Sequence, residues 1–201
     1  MRVFRTRQKT ILIIVLLLIL GAALYISRRD PGPPVDPEAE HEIELFFSTP
    51  DAMYLQTETR TVSGEDFYRN VLQELINGPR SEGLRPTIPE GSEVLELEHE
   101  RQEEILTINF NEDWRLNHWG GSTGERLTIY SIVNTMTSLP EISEVKFLVE
   151  GREIESLAGH LDLTTGYNFS EDLIQSEETG EIEGEEYDVE IEDLEEQEDF
   201  D

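Results

Sequence analysis

The chain has 201 residues, with 45 acidic and 15 basic side chains, a formal net charge of −30 and no cysteine. This length suits one domain with appendages. The acidic excess disfavours nucleic acid as a partner, because neutralising phosphates requires clustered Lys and Arg. The lack of cysteine excludes disulfides, zinc–thiolate sites, thiol nucleophiles and a lipid-modified N-terminal Cys.

The first predicted element is a single transmembrane helix. Residues 1–9 form a basic leader, and residues 10–27 hold an uncharged apolar run. At 1.5 Å per residue this run spans about 25 Å, near the thickness of a hydrocarbon core. The basic leader predicts that the N-terminus lies in the cytoplasm and the rest of the chain outside. A signal peptide cleaved after the small residues Gly21 and Ala23 is the alternative, but the apolar run continues to Ile26, which favours an uncleaved anchor.

Residues 28–40 are predicted to form a linker. Four prolines make this segment extended and semi-stiff, and at 3.1 Å per residue it reaches about 40 Å. Such a linker would hold the following domain, residues 41–167, clear of the lipid headgroups.

The first half of this domain has the pattern strand, strand, helix. Alternating apolar residues predict a strand around residues 43–47, and residues 57–62 are a second extended run. Ser63 and Asp66 resemble a capping box that begins a helix, and Gly78-Pro79 ends it. The apolar stripe of the helix consists of Phe67, Tyr68, Val71, Leu72, Leu75 and Ile76.

The second half has the pattern strand, strand, helix, strand, strand. Leu95 and Leu97, then residues 106–110, alternate with polar residues as in a hairpin with one wet face. A helix follows at residues 123–138, and its predicted buried stripe is Ile129, Ile132, Val133 and Met136. Val145, Phe147 and Val149 indicate another strand, and residues 154–157 are expected to pair back on it. The predicted fold is α+β: one mixed, mainly antiparallel sheet, with two helices packed on one face and glutamates on the other.

The most distinctive local segment is WRLNHWGGSTGE at residues 114–125. Three glycines lie just before a helix, where backbone N–H groups can bind an anion. We favour a structural interpretation, in which Ser122 caps the helix, Glu125 completes the capping box and the glycines permit a tight turn. The aromatic residues of the segment, predicted to be exposed, form a candidate protein-binding edge. The candidate binding residues are Trp114, His118, Trp119, Gly120, Gly121, Ser122, Gly124 and Glu125.

No spacing typical of catalysis or metal binding is present. The four histidines lie at no metal-ligand spacing, no serine sits in a nucleophile elbow, and no EF-hand series occurs. Carboxylates are too abundant for a catalytic pair to be identified. The sequence therefore predicts no catalytic residue, no metal and no cofactor.

Short motifs spread across the domain resemble one known family. They include LFF at 45–47, LTINF at 106–110, GSTGE at 121–125 and VKFLVEG at 145–151, and they occur in a similar order and spacing. The remaining motifs lie at residues 51–55, 75–79, 88–91, 132–137 and 159–163. Residues 41–167 thereby resemble a GerM (GerMN) domain. The resemblance implies a non-catalytic, extracytoplasmic module associated with sporulation and spore germination that acts through protein–protein contacts.

Residues 168–201 are predicted to form an acidic tail outside the folded domain. From Glu171 to Asp201 there are 17 acidic residues and no basic one, too much charge to bury in a core. We favour a solvating segment that prevents aggregation. A docking arm for a basic partner and a loose collector of divalent cations are the alternatives.

The anchor and the resemblance together predict a binding and assembly module at the cytoplasmic membrane. It would be single-pass, with the N-terminus inside and the domain outside, or in the intermembrane space during sporulation. The expected partners are the membrane itself and other envelope or sporulation membrane proteins, and a small-molecule ligand is disfavoured. The alternatives are a carboxylate-based wall hydrolase and a sensor that binds a small ligand or cation at the glycine loop or the tail.

Overall fold

A computed structural model describes residue 36 and residues 39–175, and these fold into a mixed α+β domain. In chain order the elements are β1 (His41–Ser48), β2 (Leu55–Val62), α1 (Phe67–Ile76), β3 (Val94–Glu100), β4 (Ile105–Phe110), α2 (Asp113–Leu116), α3 (Ser122–Thr137) and β5 (Glu144–Val149). The predicted strands and the two predicted long helices are therefore confirmed within a few residues, except for a strand at 154–157.

The strands form two sheets, so the predicted single sheet is wrong. β1 and β2 make an antiparallel hairpin, with His41 opposite Val62 and Ser48 opposite Leu55. In the other sheet, β4 lies between β3, to which it is antiparallel, and β5, to which it is parallel. The connection from β4 to β5 carries α2 and α3, as a parallel pair requires a crossover. Beyond β5, Val149 makes only an isolated bridge to Arg152.

Both long helices contact each other and both sheets. The helix α1 packs on β1, β2 and β3, and α3 packs on β1 and β5. The central core between these elements includes the predicted stripe of α3, which is fully buried. A smaller cluster, made of Phe46, Leu55, Leu127 and Leu173, lies on the other side of the hairpin. Phe46 lies on the face of β1 opposite the central core, but it is 2% exposed because this second cluster covers it.

The hairpin of β3 and β4 has the predicted wet face, which carries Glu96, Glu98 and Glu100. Leu95 departs from the predicted alternation and is 45% exposed. The register shifts between Val94 and Glu96, and an extra residue at such a bulge turns a side chain to the opposite face.

The predicted capping box at the start of α1 is wrong. The N-cap residue is Asp66, and it makes no capping hydrogen bond with its side chain. Ser63 lies outside the helix, where its carbonyl accepts a bond from the Asn70 side chain (2.9 Å). The intervening Gly64 has φ +114°, and a Cβ there would lie 2.8 Å from the side-chain Nδ2 of Asn70. The chain thus turns into the helix through a glycine instead of a serine cap.

A buried ion cluster joins β2 to the end of α1. The Arg60 guanidinium, 5% exposed, donates to Glu58 Oε1 (2.6 Å), Glu74 Oε2 (2.7 Å) and the Gly78 carbonyl (2.6 Å). Glu58 Oε2 also accepts the Ser81 backbone N–H at 2.7 Å. Burial alone would raise the pKa of Glu58, but the hydrogen bonds from Ser81, Arg60 and Arg80 outweigh it and lower this pKa from 4.5 to about 2.

The folded part continues past Tyr167, the predicted end of the domain. Leu173 is buried, its carbonyl accepts the Leu55 N–H (2.6 Å), and the Gln175 N–H donates to the Leu55 carbonyl (3.0 Å). Asn134 exchanges two hydrogen bonds with Ser170. Residues 168–175, which were assigned to the tail, therefore belong to the domain.

Within the described part of the chain, no helix is both long enough and apolar enough to cross a bilayer. The predicted leader and anchor, most of the linker and residues 176–201 lie outside the described residues.

Candidate binding site at the start of helix α3

The chain turns sharply between α2 and α3 and places His118 and Trp119 at the domain surface. Gly120 (φ +77°) and Gly121 (φ +81°) adopt the left-handed region that favours glycine. Gly121 is the N-cap of α3 and Ser122 is its first residue, with no capping bond from a side chain. The predicted role of Ser122 as the cap is therefore wrong, because the glycine turn provides the helix start.

His118 anchors this turn to the body of the domain. The Gly120 N–H donates to His118 Nδ1 (3.0 Å), and Nε2 lies 3.2 Å from Thr128 Oγ1. The Thr128 hydroxyl donates its only proton to the Thr87 carbonyl (2.7 Å), so it accepts a bond from Nε2–H. These contacts assign the neutral Nε2–H tautomer. Burial of the ring lowers the pKa of His118, which keeps the imidazole neutral.

Trp119 is the exposed aromatic residue of the segment. Its side chain is 55% exposed, and the ring stacks on His118 with centroids 5.1 Å apart and an interplanar angle of 18°. The Nε1–Cδ1 edge of the ring lies against Gly124, where an added Cβ would be 2.6 Å from Trp119 Nε1. Gly124 is thus the residue whose small size permits this position of the indole.

A groove of about 260 Å³ opens beside Trp119. Ala52 and the segment Arg85–Thr87 form one wall, and Gly120, Thr123, Gly124 and Leu127 form the other. Most ligand pockets for drug-sized molecules measure about 300–1,000 Å³, so this groove has the size to hold one or two side chains. The wall from residues 48–52 and 85–87 was not predicted, because those residues are remote in sequence and no local pattern links them to the Trp119 turn.

Trp114 is not part of the exposed edge, so that prediction is wrong. It is 0% exposed and stacks between Phe110 (4.5 Å, 16°) and Phe147 (5.5 Å, 20°). The single turn of α2, which the sequence did not predict, directs the indole inward and its neighbours Asp113 and Arg115 outward. Trp114 is a core residue.

Glu125 is also buried and does not complete a capping box. Its Oε1 accepts the N–H groups of Leu157 (2.9 Å) and Ala158 (2.8 Å), and its Oε2 accepts that of His160 (2.8 Å). The side chain is thus used to attach the loop at 157–160 to α3. The predicted segment therefore separates into a surface part (His118–Gly124) and two structural residues.

Among residues 36 and 39–175, no group of three or more His, Asp or Glu side chains has the arrangement of a metal site. The Gly120 N–H already donates to His118 Nδ1, and the first turn of α3 contains Glu125. Anion binding at these glycines therefore stays the less favoured alternative.

Known proteins match this chain over most of the described domain. A sequence model of the family described as "Germane: Sporulation and spore germination" matches residues 44–155. The tandem GerMN domains of the sporulation protein GerM from Bacillus subtilis match at a TM-score of 0.50 and 18% identity, over 68% of this chain and 46% of that one. This chain therefore spans about half the length of the tandem protein.

Two single-domain structures match over nearly their whole length. The first GerMN domain of Bacillus subtilis GerM matches at a TM-score of 0.49 and 18% identity, over 67% of this chain and 98% of that one. A candidate lipoprotein from Clostridium perfringens matches at a TM-score of 0.47 and 24% identity, over 68% and 93%. No curated protein matches the chain.

Proposed function

This chain belongs to the Germane family of sporulation and spore germination proteins, and from that membership we propose that it is a membrane-anchored binding and assembly module that acts outside the cytoplasm. Its partners are other envelope or sporulation membrane proteins. It brings them together through surface contacts and does not transform a substrate.

The membrane attachment in this proposal rests on the sequence. The basic leader at 1–9 and the uncharged run at 10–27 match a single-pass anchor with the N-terminus inside. The chain has no cysteine, so a helix takes the place of a lipid on an N-terminal Cys. The Pro-rich linker at 28–40 would hold the domain clear of the headgroups, where it can contact partners.

The observation that carries the binding role is the exposed indole of Trp119 beside its groove. Trp is among the residues enriched at interface hot spots, which form where an aromatic anchor adjoins a pocket. Trp119 is held by His118 stacking and by contact with Gly124, so little side-chain freedom is lost when a partner binds. A rigid aromatic anchor with a groove for one or two partner side chains suits protein recognition.

The buried glutamates support a binding role over a wall hydrolase. Glu58 is engaged by Arg60 and by the Ser81 N–H, and Glu125 accepts three backbone N–H groups. Glu141, the third acidic residue that is buried in the described part of the chain, pairs with Arg101 (3.4 Å). A general acid must carry a proton near neutral pH, whereas Glu58 has a pKa of about 2.

The test compares Trp119 with Leu116, an exposed apolar residue (67%) that does not line the groove. A photo-crosslinking phenylalanine derivative, which keeps an aromatic ring at the anchor position, is placed at position 119 or 116 of the full chain in sporulating cells. Crosslinked products are identified by mass spectrometry. We expect discrete adducts with envelope proteins from position 119 only. With the partner identified, Trp119→Ala should weaken binding by at least about 30-fold, and Leu116→Ala should have little effect. Equal crosslinking from both positions would contradict the role of Trp119.

Topology is tested separately, using the absence of native cysteine. Ser81→Cys in the exposed loop after α1 should react with a membrane-impermeant maleimide in cells whose wall has been removed, whereas Val3→Cys should react only after the membrane is permeabilised. Labelling of Val3→Cys in sealed cells would refute the orientation.

A further inference from the structure

The outer edge of β2 is open. Leu55 directs its N–H and C=O groups away from β1, because they bond to Leu173 and Gln175. Alternate residues of a strand direct their backbone groups to the same edge, so Thr57, Thr59 and Thr61 also direct theirs outward. In the described part of the chain, no hydrogen bond satisfies these groups of the three threonines.

The outer edge of β1, on the opposite side of the hairpin, agrees with this assignment of the outward backbone groups. Ser48, the partner of Leu55, exchanges two backbone hydrogen bonds with Arg85, and the Phe46 N–H donates to Thr135 Oγ1 (3.1 Å). The outward groups of β1 are thus covered near its C-terminal end, and the outward groups of β2 from Thr57 onward are not. An unpaired edge of this kind is a template for an added strand.

A depression of about 630 Å³ lies along the open edge. Its lining includes Thr59 and Thr61 together with Glu42 on one face of the hairpin and Arg80 and Ser81 on the other. The edge is therefore accessible from both faces, as an incoming extended segment requires.

The charge on the exposed face of the hairpin indicates which side chains an added strand would carry. Glu42 lies opposite Thr61 and Glu44 opposite Thr59, all four are exposed, and this face of β1 and β2 holds no Lys or Arg. A third strand would lie about 10 Å from β1, a distance that a Lys or Arg side chain can span to reach a glutamate. The Arg80 guanidinium, on the other side of the edge, is paired with Glu74 (2.7 Å).

The chain's own continuation is a poor match for this edge. Leu173 and Gln175 already flank Leu55 in a parallel arrangement, but the following residues read SEETGEI. Their glutamates would approach Glu42 and Glu44, and Gly180 has low strand propensity. Repulsion of like charges thus favours a different polypeptide.

We propose that the open edge of β2, from Thr57 to Thr61, binds a basic extended segment of a partner protein as an added strand. Backbone hydrogen bonds supply the affinity, and Lys or Arg at alternate positions of the segment supplies specificity through Glu42 and Glu44. This inference rests on the proposed binding role but uses a surface separate from the Trp119 groove.

The experiment measures amide hydrogen exchange in the full chain in detergent micelles, with a synthetic nonapeptide of alternating Lys and Thr as the probe. The peptide should slow exchange of the Thr57, Thr59 and Thr61 amides by about tenfold or more. The amides of Gln56 and Glu58, which bond to β1, serve as internal controls and should not change. A peptide of alternating Glu and Thr should protect none of the three.

Three variants sharpen the test. Thr59→Pro removes an outward N–H without breaking a bond to β1, and it should weaken binding of the Lys–Thr peptide about tenfold. The Thr59→Val variant should bind this peptide as tightly as the wild type does. Glu42→Lys combined with Glu44→Lys changes only exposed side chains, and it should reverse the preference towards the Glu–Thr peptide. This double variant keeps the proposal testable where Thr59→Pro disturbs folding.

Four outcomes would overturn the proposal. The first is unchanged amide exchange at the three threonines when the Lys–Thr peptide is added, and the second is equal peptide binding by Thr59→Pro and Thr59→Val. The third is protection of the three amides without peptide that disappears when the chain is truncated after Gln175, and the fourth is protection without peptide that grows with protein concentration. The third would identify the tail as the occupant, and the fourth a second copy. Trp119→Ala should leave peptide protection intact, so a failure here is distinguishable from a failure of the proposed role of Trp119.

Discussion

Replacing Glu58 with Gln tests the energetic role of the buried ion cluster. The pKa of Glu58 is about 2 in the folded chain against 4.5 for the unperturbed group. A difference of this size corresponds to roughly 3 kcal/mol of folding free energy at pH 7. Glu58→Gln also places amide hydrogens where the Arg80 and Ser81 N–H groups donate, so no compensating bond forms. We expect the variant to lose on the order of 3 kcal/mol at pH 7.

The pH dependence has a defined sign. Because folding lowers the pKa of Glu58, its stabilisation is complete above the unfolded pKa of 4.5 and decreases as pH falls towards 2. The difference between wild type and Glu58→Gln should shrink from roughly 3 kcal/mol at pH 7 to less than half of that at pH 3. Taking the difference between the two proteins cancels the contributions of the other carboxylates.

The assay is urea unfolding of the full chain in mild detergent at several pH values, with circular dichroism as the signal that monitors unfolding. Glu96→Gln, on the exposed face of β3, is the matched control and should change stability by less than about 0.5 kcal/mol. A loss below about 1 kcal/mol for Glu58→Gln at pH 7, or a difference that does not depend on pH, would refute the reasoning.

Three further predictions concern the start of α3. Glu125→Gln should destabilise the domain by about 2–4 kcal/mol and speed amide exchange at Leu157. The reason is that one of the two side-chain oxygens that accept N–H groups from the loop at 157–160 is replaced by a donor. Unchanged amide exchange at Leu157 would contradict this. Gly124→Ala should displace Trp119 and shift its fluorescence, with α3 itself stabilised by at most about 1 kcal/mol; an unaltered spectrum would show that the contact is not tight. NMR of His118 should find Nε2–H and a neutral ring at pH 6.5, because burial lowers the pKa of this histidine. Protonation then favours the unfolded chain, so the free energy of unfolding should decrease as pH falls below 6.5. A doubly protonated His118 ring at pH 6.5 would disprove the assignment.

Local periodicity explains what the sequence predicted correctly. The stripe at Ile129, Ile132, Val133 and Met136 and the alternation at 145–149 depend only on neighbours in the chain, and both are buried as expected. The division into two sheets depends on which strands meet after the β4–β5 crossover. That pairing is non-local and leaves no local pattern.

The errors at the candidate site have the same origin. Trp114 has charged neighbours, but the short helix α2 turns it between Phe110 and Phe147. Glu125 has capping-box spacing, but loop 157–160 offers it three N–H donors from 32 or more residues away. Trp119 was correctly predicted to be exposed, whereas the wall facing it comes from residues far away in sequence.

The two ends of the folded domain attach at opposite ends of the same hairpin. The preceding linker meets β1 at His41, and the chain leaves through Gln175 beside Leu55, which pairs with Ser48 at the far end of β1. Seven residue steps along a strand separate these points by about 23 Å, well beyond a Debye length of about 8 Å at physiological salt. Charges at the point where the chain enters the hairpin and at the point where it leaves are therefore largely screened from each other. A change in the charge of the sequence after Gln175 should accordingly have little electrostatic effect where residue 40 enters β1.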